Sequence, residues 1–258
     1  MKQLTFLFLL LSGFVFAQSD KKFLKEFLAE NELKSENLLT KYNQYDFSGI
    51  FTCTENHLVY GIIGEEHQRI KVKLLNVVKS STNPDEYIIS GKSNVKGNIC
   101  DFSGTITLKE IKETKTLHFD VDDEFKEKGI KSQGIVIAEY EFHENQNQKH
   151  TGIFKGKLYS KWYLTADNQI KYDDIESMSD SYMNNAFIGT WKGYSNGKKR
   201  ICNWGDFRVP NANADFDIGA GEFCPDIKFE NKGWANFRKA WIDGDEKAKA
   251  EELKEWWK

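Results

Sequence analysis

The stretch between Cys202 and Cys224 carries the residue types best suited to chemistry. It is rich in Gly and Asn, has no regular hydrophobic period, and holds an indole, a guanidinium group and four carboxylates. Long ordered loops on a β scaffold commonly carry binding sites, and aromatic faces beside carboxylates and amides suit a sugar or another polar ligand. The sequence therefore predicts a ligand-binding loop formed by Trp204, Asp206, Arg208, Asp215, Asp217 and Glu222.

This loop has two other interpretations. Two carboxylates among Asp206, Asp215, Asp217 and Glu222 could serve glycoside hydrolysis in a secreted enzyme. Alternatively, the loop only covers the core, and the protein has a structural or inhibitory role in the cell envelope. We expect a non-catalytic binding protein whose ligand is a small molecule, a glycan or a partner protein, with the hydrolase and the structural protein as alternatives.

Two further patterns resemble catalytic or metal sites. Residues 193–197 match the G-x-S-x-G pattern of serine hydrolases, but a nucleophile elbow needs a helix after Ser195, and residues 198–201 have the pattern of a strand. Acids and imidazoles alternate in residues 118–122 and 139–143, which could bind a metal across paired strands, but any solvated sheet face shows this alternation. We predict no catalytic residue, metal or other cofactor from these patterns.

The first 17 residues have the pattern of a secretory signal peptide. Lys2 supplies a positive start, residues 4–16 form an apolar run, and Ala17 ends a small-residue cleavage signal. The run is shorter than the roughly 20 residues that a membrane-spanning helix needs. We expect an exported protein, periplasmic or secreted, without a transmembrane segment after cleavage.

The four cysteines are interpreted in the light of that predicted location. In an oxidising compartment they can form two disulfides, with three possible connectivities. Proximity in sequence favours Cys53 with Cys100 and Cys202 with Cys224, and four buried free thiols are the alternative. The absence of a C-x-x-C spacing gives no support to zinc-ribbon or thioredoxin-like chemistry.

The composition is that of a globular protein and does not indicate nucleic-acid binding. The chain has 258 residues, of which 40% are hydrophobic and 29% charged, as in globular proteins. Its formal net charge is −3, and no basic stripe indicates a nucleic-acid partner.

The scaffold that positions the loop is predicted from hydrophobic periodicity. From residue 47 to residue 165 the period is two, and short connections make sequential strands antiparallel neighbours. The fold predicted is mainly β, an antiparallel up-and-down meander closed as a barrel or strongly curled. Its strand candidates are residues 47–54, 57–63, 68–78, 86–95, 98–109, 115–122, 133–143 and 150–164.

Three segments flank this meander. Helical spacing in residues 18–46 predicts a short helical brace, and residues 166–185 form a polar connector. Residues 186–258 form a Trp-rich segment that ends in a helix, and the sequence leaves open whether this segment is a separate domain. It starts with a hairpin, in which a two-residue Asn196-Gly197 turn places Trp191 opposite Cys202.

Gly189-Thr190-Trp191, on an exported chain of about eight strands, resembles the calycin group that includes the lipocalins. In that family the Gly-x-Trp motif opens the first strand and the barrel follows it, whereas here most strands precede the motif. The resemblance implies a barrel architecture and transfers no binding residue.

Overall fold

One antiparallel sheet dominates the computed structural model, which describes residues 23, 25–27, 29, 32–120 and 125–258. The predicted signal peptide, residues 1–17, lies outside the described residues. The described strands are β1 (Val59–Ile63), β2 (Gln68–Arg69), β3 (Lys71–Lys79), β4 (Glu86–Val95), β5 (Asn98–Glu113), β6 (Ser132–Glu144), β7 (Gly152–Leu164), β8 (Ile170–Tyr172), β9 (Asn184–Gly193) and β10 (Lys199–Asp206).

Helices are short and lie outside the sheet. The described α-helices with defined bounds are α1 (Leu39–Tyr42), α2 (Ala235–Trp241) and α3 (Glu246–Glu252). Residues 23, 25–27 and 29, in the predicted N-terminal brace, are also helical. The 3-10 turns are Ser48–Phe51, Asn56–Leu58, Lys126–Lys128 and Ile227–Lys232.

The sheet is strongly curled. Its strand order is β2-β1-β10-β9-β7-β6-β5-β4-β3, and β8 pairs with β7. β2 and β3 stand at opposite ends of this order, yet only Ile70 separates them in the chain, so the sheet must curve round until its two ends meet. At that junction the amide of Ile70 donates to the carbonyl oxygen of Gly61 on β1 at 3.0 Å, which continues the pairing of β1 with β2. The prediction of a mainly β, antiparallel, curled meander is confirmed.

Two predicted strands are wrong. Residues 47–54 contain the 3-10 turn Ser48–Phe51, because Phe47, Ile50 and Phe51 all pack into one core instead of alternating between two faces. The described part of residues 115–122 contains no strand. There the backbone of His118 bonds to the side chain of Gln133, at 2.6 Å for its amide and 2.9 Å for its carbonyl, instead of to a neighbouring strand.

The Trp-rich segment completes the sheet. β9 and β10 form the predicted hairpin and lie between β7 and β1. The predicted register is wrong, because the turn occupies residues 194–198 and the amide of Gly193 donates to the carbonyl of Lys198 at 3.1 Å. Trp191 consequently pairs with Arg200, and Cys202 pairs with Gly189.

Aromatic side chains fill the inside of the curled sheet. The rings of Phe187 and Trp204 stack with centroids 4.6 Å apart, and Tyr140 meets Trp204 edge-on at 5.3 Å. Each such ring removes a large apolar surface from water, and offset or edge-on packing adds to that gain. The inside of the sheet is therefore a packed core.

The outer face is covered at two places. Phe23 and Phe27 of the N-terminal helix pack on Tyr159 of β7. At β1, Tyr60 stacks on Phe223 of the C-terminal segment with ring centroids 4.6 Å apart. The helix that contains Phe23 and Phe27 and the C-terminal segment thus brace the sheet from outside.

Candidate functional site

The predicted loop residues have separate surroundings. Trp204 is a core residue, only 2% exposed. Arg208 binds its own loop: Nη1 donates to Asp217 at 2.8 Å, and Nη2 donates to the carbonyl of Gly221 at 2.7 Å. Asp215 and Glu222 are exposed.

These contacts are the ones expected if the loop covers the core. Oδ1 of Asp217 accepts from the amides of Gly219 and Cys224 at 3.2 and 3.1 Å, so this carboxylate holds the loop closed. Asp215 lies 3.9 Å from the ammonium of Lys228. Asp206, Asp215 and Asp217 each have different partners in the structure.

The predicted disulfides are wrong. All four cysteines lie in the described residues, and all four are free. Cys202 is buried on β10 inside the core, whereas Cys224 lies in the covering loop. Cys100 contacts the carbonyl of Lys149 at 3.5 Å. Proximity in sequence did not bring sulfur atoms together in space, as a disulfide requires.

Asp206, the last residue of β10, is the centre of a buried polar network. Its Oδ2 accepts three hydrogen bonds, from Oγ1 of Thr54 at 2.7 Å, the hydroxyl of Tyr172 at 2.9 Å and Nδ2 of Asn185 at 2.8 Å. Asp206 is 4% exposed, so this set of donors replaces the water that a carboxylate would otherwise bind.

Strand pairing brings these groups together. β9 pairs with β7 up to Tyr159, and β8 pairs with the last residues of the same strand, which places Tyr172 beside the start of β9. Asn184 fixes this junction, because its Oδ1 accepts from the amide of Lys161 at 2.7 Å.

The backbone is strained on both sides of the network. Asn185 has φ of 43° and Phe207 has φ of 66°, in the left-handed region that non-glycine residues rarely adopt. The register of β9 and β10 is irregular between Trp204 and Asp206. Nδ2 of Asn185 also donates to the carbonyl of Ile50 at 2.8 Å, which holds the strained residue in place. Strained residues of this kind cluster at functional sites.

A cleft of about 490 Å³ adjoins this network, and we call it the Asp206 cleft. Thr54 and Tyr172, both bonded to Asp206, form part of its wall, and Tyr163 and Phe207 add aromatic rings. The complete lining is Gly49, Cys53, Thr54, Glu55, Leu58, Tyr163, Ile170, Lys171, Tyr172, Asp174, Ser177 and Phe207.

Burial changes the acidity of the groups around the cleft. It raises the pKa of Asp206 to about 6, although the hydrogen bonds from Thr54 and Asn185 act in the opposite direction. Burial and the nearby Asp206 carboxylate raise the pKa of the Cys53 thiol to about 12. Cys53 therefore remains a thiol at neutral pH, and a thiol is a poor nucleophile.

The network also determines which hydrogen-bonding groups of the cleft wall are available to a ligand. A hydroxyl group has one hydrogen and two lone pairs. Thr54 and Tyr172 both donate that hydrogen to Asp206, so they are left with lone pairs. Carboxylates at Glu55 and Asp174 add further acceptors to the cleft wall. The cleft is suited to a ligand that brings hydrogen-bond donors.

Asp206 is among the residues predicted from the sequence, whereas Thr54, Tyr172 and Asn185 are not. Thr54 is 152 positions from Asp206 in the chain, and only the folded sheet brings the two together. The adjacent pair Asn184-Asn185 at the start of a strand is the one local signal, because Asn tolerates the left-handed conformation that a strand interior excludes.

Other kinds of site receive no support from the described residues. They contain no group of three or more His, Cys, Asp and Glu side chains arranged to bind a metal ion. No helix in the described part of the chain has the length and apolar character to cross a membrane. Comparison of the chain with protein-family models, with curated proteins and with solved structures finds no match.

Proposed function

We propose that this chain is an exported, non-catalytic binding protein that holds a small, donor-rich molecule, such as a sugar or polyol, in the Asp206 cleft. The binding proposal rests on one observation. A buried carboxylate takes the hydroxyl hydrogens of both Thr54 and Tyr172, two residues of the cleft wall. A ligand hydroxyl can donate to the lone pairs that remain.

The rest of the lining supports the same class of ligand. The rings of Tyr163, Tyr172 and Phe207 offer apolar surface to the C–H face of a sugar ring. A pocket that combines such rings with a few convergent polar groups and a perturbed carboxyl is typical of small-molecule sites. Because the hydrogen bonds of Thr54 and Tyr172 to Asp206 already exist, the site is organised before the ligand arrives.

Export is a separate part of the proposal, and it rests on residues 1–17. Expression of the full chain in a bacterial host tests it by cell fractionation and mass spectrometry of the N-terminus. We expect an exported product that begins at Gln18. A cytoplasmic product that retains residues 1–17 would contradict export and leave the binding proposal standing.

Calorimetric titration tests binding. The probes are glucose, galactose, xylose and myo-inositol, and the proteins are the wild type, Thr54→Val and Tyr172→Phe. We expect at least one probe to bind the wild type and to bind each variant roughly tenfold more weakly, since a hydrogen bond is worth about 1 kcal/mol and an unpaired buried group costs more.

Matched control variants separate this effect from general damage. Thr116→Val and Tyr194→Phe remove the same hydroxyl groups from residues that are not part of the cleft lining. They should bind as the wild type does. If no probe binds, or if Thr54→Val binds as tightly as Thr116→Val, the proposal is wrong.

A further inference from the structure

A second concave site lies on the outer face of the sheet. It is a groove of about 860 Å³ that runs across β5, β6, β7, β9 and β10, and we call it the outer groove. Five strands are separated by four spacings of about 4.8 Å, so the groove is roughly 19 Å wide across the strands. That length accommodates several units of a polymer.

The floor of the outer groove is made of backbone. Gly156 on β7 faces Gly189 on β9, and a Cβ on Gly156 would lie 2.6 Å from the Cα of Gly189. A Cβ on Gly104 would lie 2.0 Å from the carbonyl oxygen of Glu141. The strands approach so closely in this region that only glycine fits at these positions.

Two lysines on this face are placed where they destabilise the sheet. Lys192 on β9 and Lys199 on β10 are directly opposite each other in the sheet. Like charges at directly opposed positions destabilise a pair of strands. Lys155 and Lys157 lie on the same face of the adjacent strand β7, so three neighbouring strands carry cations.

The carboxylates of the groove pair with only one of these lysines, Lys155. Glu141 binds Lys155 at 2.6 Å and His143 at 2.9 Å, and Glu139 lies 3.4 Å from Lys109, which is outside the groove lining. In the described parts of the chain, Lys157, Lys192 and Lys199 have no carboxylate within 4.0 Å. Lys157 and Lys199 line the groove, and Lys192 lies outside the lining, directly opposite Lys199. These three cations therefore remain available to a ligand.

We propose that the outer groove binds an anionic glycan chain. The acidic groups of the glycan would neutralise Lys157, Lys192 and Lys199 and remove the repulsion between the last two. Its hydroxyls would bond to Thr105, Thr107 and Thr190, which line the groove between the charged residues. A groove roughly 19 Å wide accommodates several sugar units, which favours a glycan chain over a single sugar.

Nucleic acid fits this surface less well. Duplex DNA carries about one negative charge per 1.7 Å of its axis, and that density would place phosphates beside Glu139 and Glu141. The formal net charge of the whole chain, −3, also opposes a dense polyanion. An acidic glycan combines charged groups with neutral hydroxyls, as the groove does.

Binding to immobilised polymers tests this site on the full-length protein. The probes are polygalacturonate, which carries carboxylates, and chondroitin sulfate, which adds sulfates, with neutral dextran and duplex DNA as comparators. The variants are Lys157→Gln/Lys199→Gln and, as a control of equal charge, Lys239→Gln/Lys247→Gln. We expect at least one acidic glycan to bind more tightly than dextran and DNA, and the first double variant to lose tenfold or more in affinity.

Several results would overturn the proposal. They are tighter binding to DNA than to either acidic glycan, binding to neither glycan, or equal loss in both double variants. The melting temperature adds a second readout, because relief of the Lys192–Lys199 repulsion should leave the Lys157→Gln/Lys199→Gln protein at least as stable as the wild type. Thr54→Val should bind the glycan normally, so failure of the cleft and failure of the groove are distinguishable.

Discussion

Arg69 and Glu252 form a buried, two-pronged ion pair that joins the sheet to the C-terminal helix. Nη1 and Nη2 of Arg69 donate to the two carboxylate oxygens of Glu252 at 2.9 and 2.6 Å. Arg69 also lies over the ring of Trp234, 4.9 Å from its centroid. Burial opposes ionisation of Glu252, but Arg69 and Lys71 hold its pKa at about 2. The junction between β2 and β3 is therefore fixed from outside by α3.

Glu252→Ala should destabilise the fold strongly, because it leaves the Arg69 guanidinium buried and unpaired. Loss of one member of a buried pair costs about 3–5 kcal/mol. Urea denaturation measures the change. Glu251→Ala removes an exposed carboxylate from the same helix and should cost less than about 1 kcal/mol. Similar costs for the two variants would show that Arg69 is not held in this way.

Asp206→Asn should remove a pH dependence from stability. The folded pKa of about 6 is higher than the usual 3.8, so the folded state binds a proton more readily than the unfolded state. This stabilisation is complete below the usual value and is lost as the pH rises through about 6. We expect the stability of the wild type, relative to Asp206→Asn, to fall by at most about 3 kcal/mol between pH 4 and pH 7.

Chemical denaturation at several pH values from 4 to 7 provides that comparison. Each value is taken as the difference between the two proteins, which cancels the contribution of other buried acids such as Glu144. A difference that does not change with pH would mean that Asp206 titrates normally and that its network is open to water.

Gly156→Ala should disrupt the centre of the sheet. Its Cβ would lie 2.1 Å from the carbonyl oxygen of Ile188, which is backbone and cannot rotate away. We expect a loss of about 3 kcal/mol or more, or failure to fold. Gly49→Ala is the matched control, because nothing lies within 4 Å of its added Cβ. Thermal denaturation should find Gly49→Ala within a few degrees of the wild type, and equal losses in both variants would contradict the close approach of β7 and β9.

All four cysteines should be alkylated without prior reduction. The denatured protein is treated with iodoacetamide, with and without a reducing agent, and analysed by intact mass. Four added groups in both samples agree with four free thiols. A difference of two or four groups between the samples would indicate that disulfides form.

The sequence predicts the scaffold better than the site for a physical reason. Alternation of apolar and polar residues is a local signal. It predicts both ends of β4 correctly, and for β5 it predicts the first residue correctly but ends at residue 109, before the observed end at Glu113. The strand that it predicts at residues 47–54 is wrong, because consecutive apolar side chains there enter the core from a 3-10 turn. Local spacing also cannot show that Glu252, a charged residue on a polar-looking helix, is buried against Arg69.

The Asp206 network is harder to predict from the sequence than the strands are. Its members come from four separate segments, and each is an ordinary polar residue in its own surroundings. The sequence indicates Asp206 only as one of four carboxylates in its loop, whereas its observed partners are Thr54, Tyr172 and Asn185. The pairing of β8 and β9 with the same strand brings Tyr172 beside Asn185, and the pairing of β9 with β10 adds Asp206.

A crystal structure of the protein with the tightest-binding sugar of the panel shows whether the Asp206 cleft is the binding site. We predict a sugar in the Asp206 cleft, with hydroxyl oxygens about 2.5–3.0 Å from Oγ1 of Thr54 and from the hydroxyl oxygen of Tyr172. A sugar bound elsewhere, or one in the cleft without a polar atom within that distance of either hydroxyl, would contradict the account.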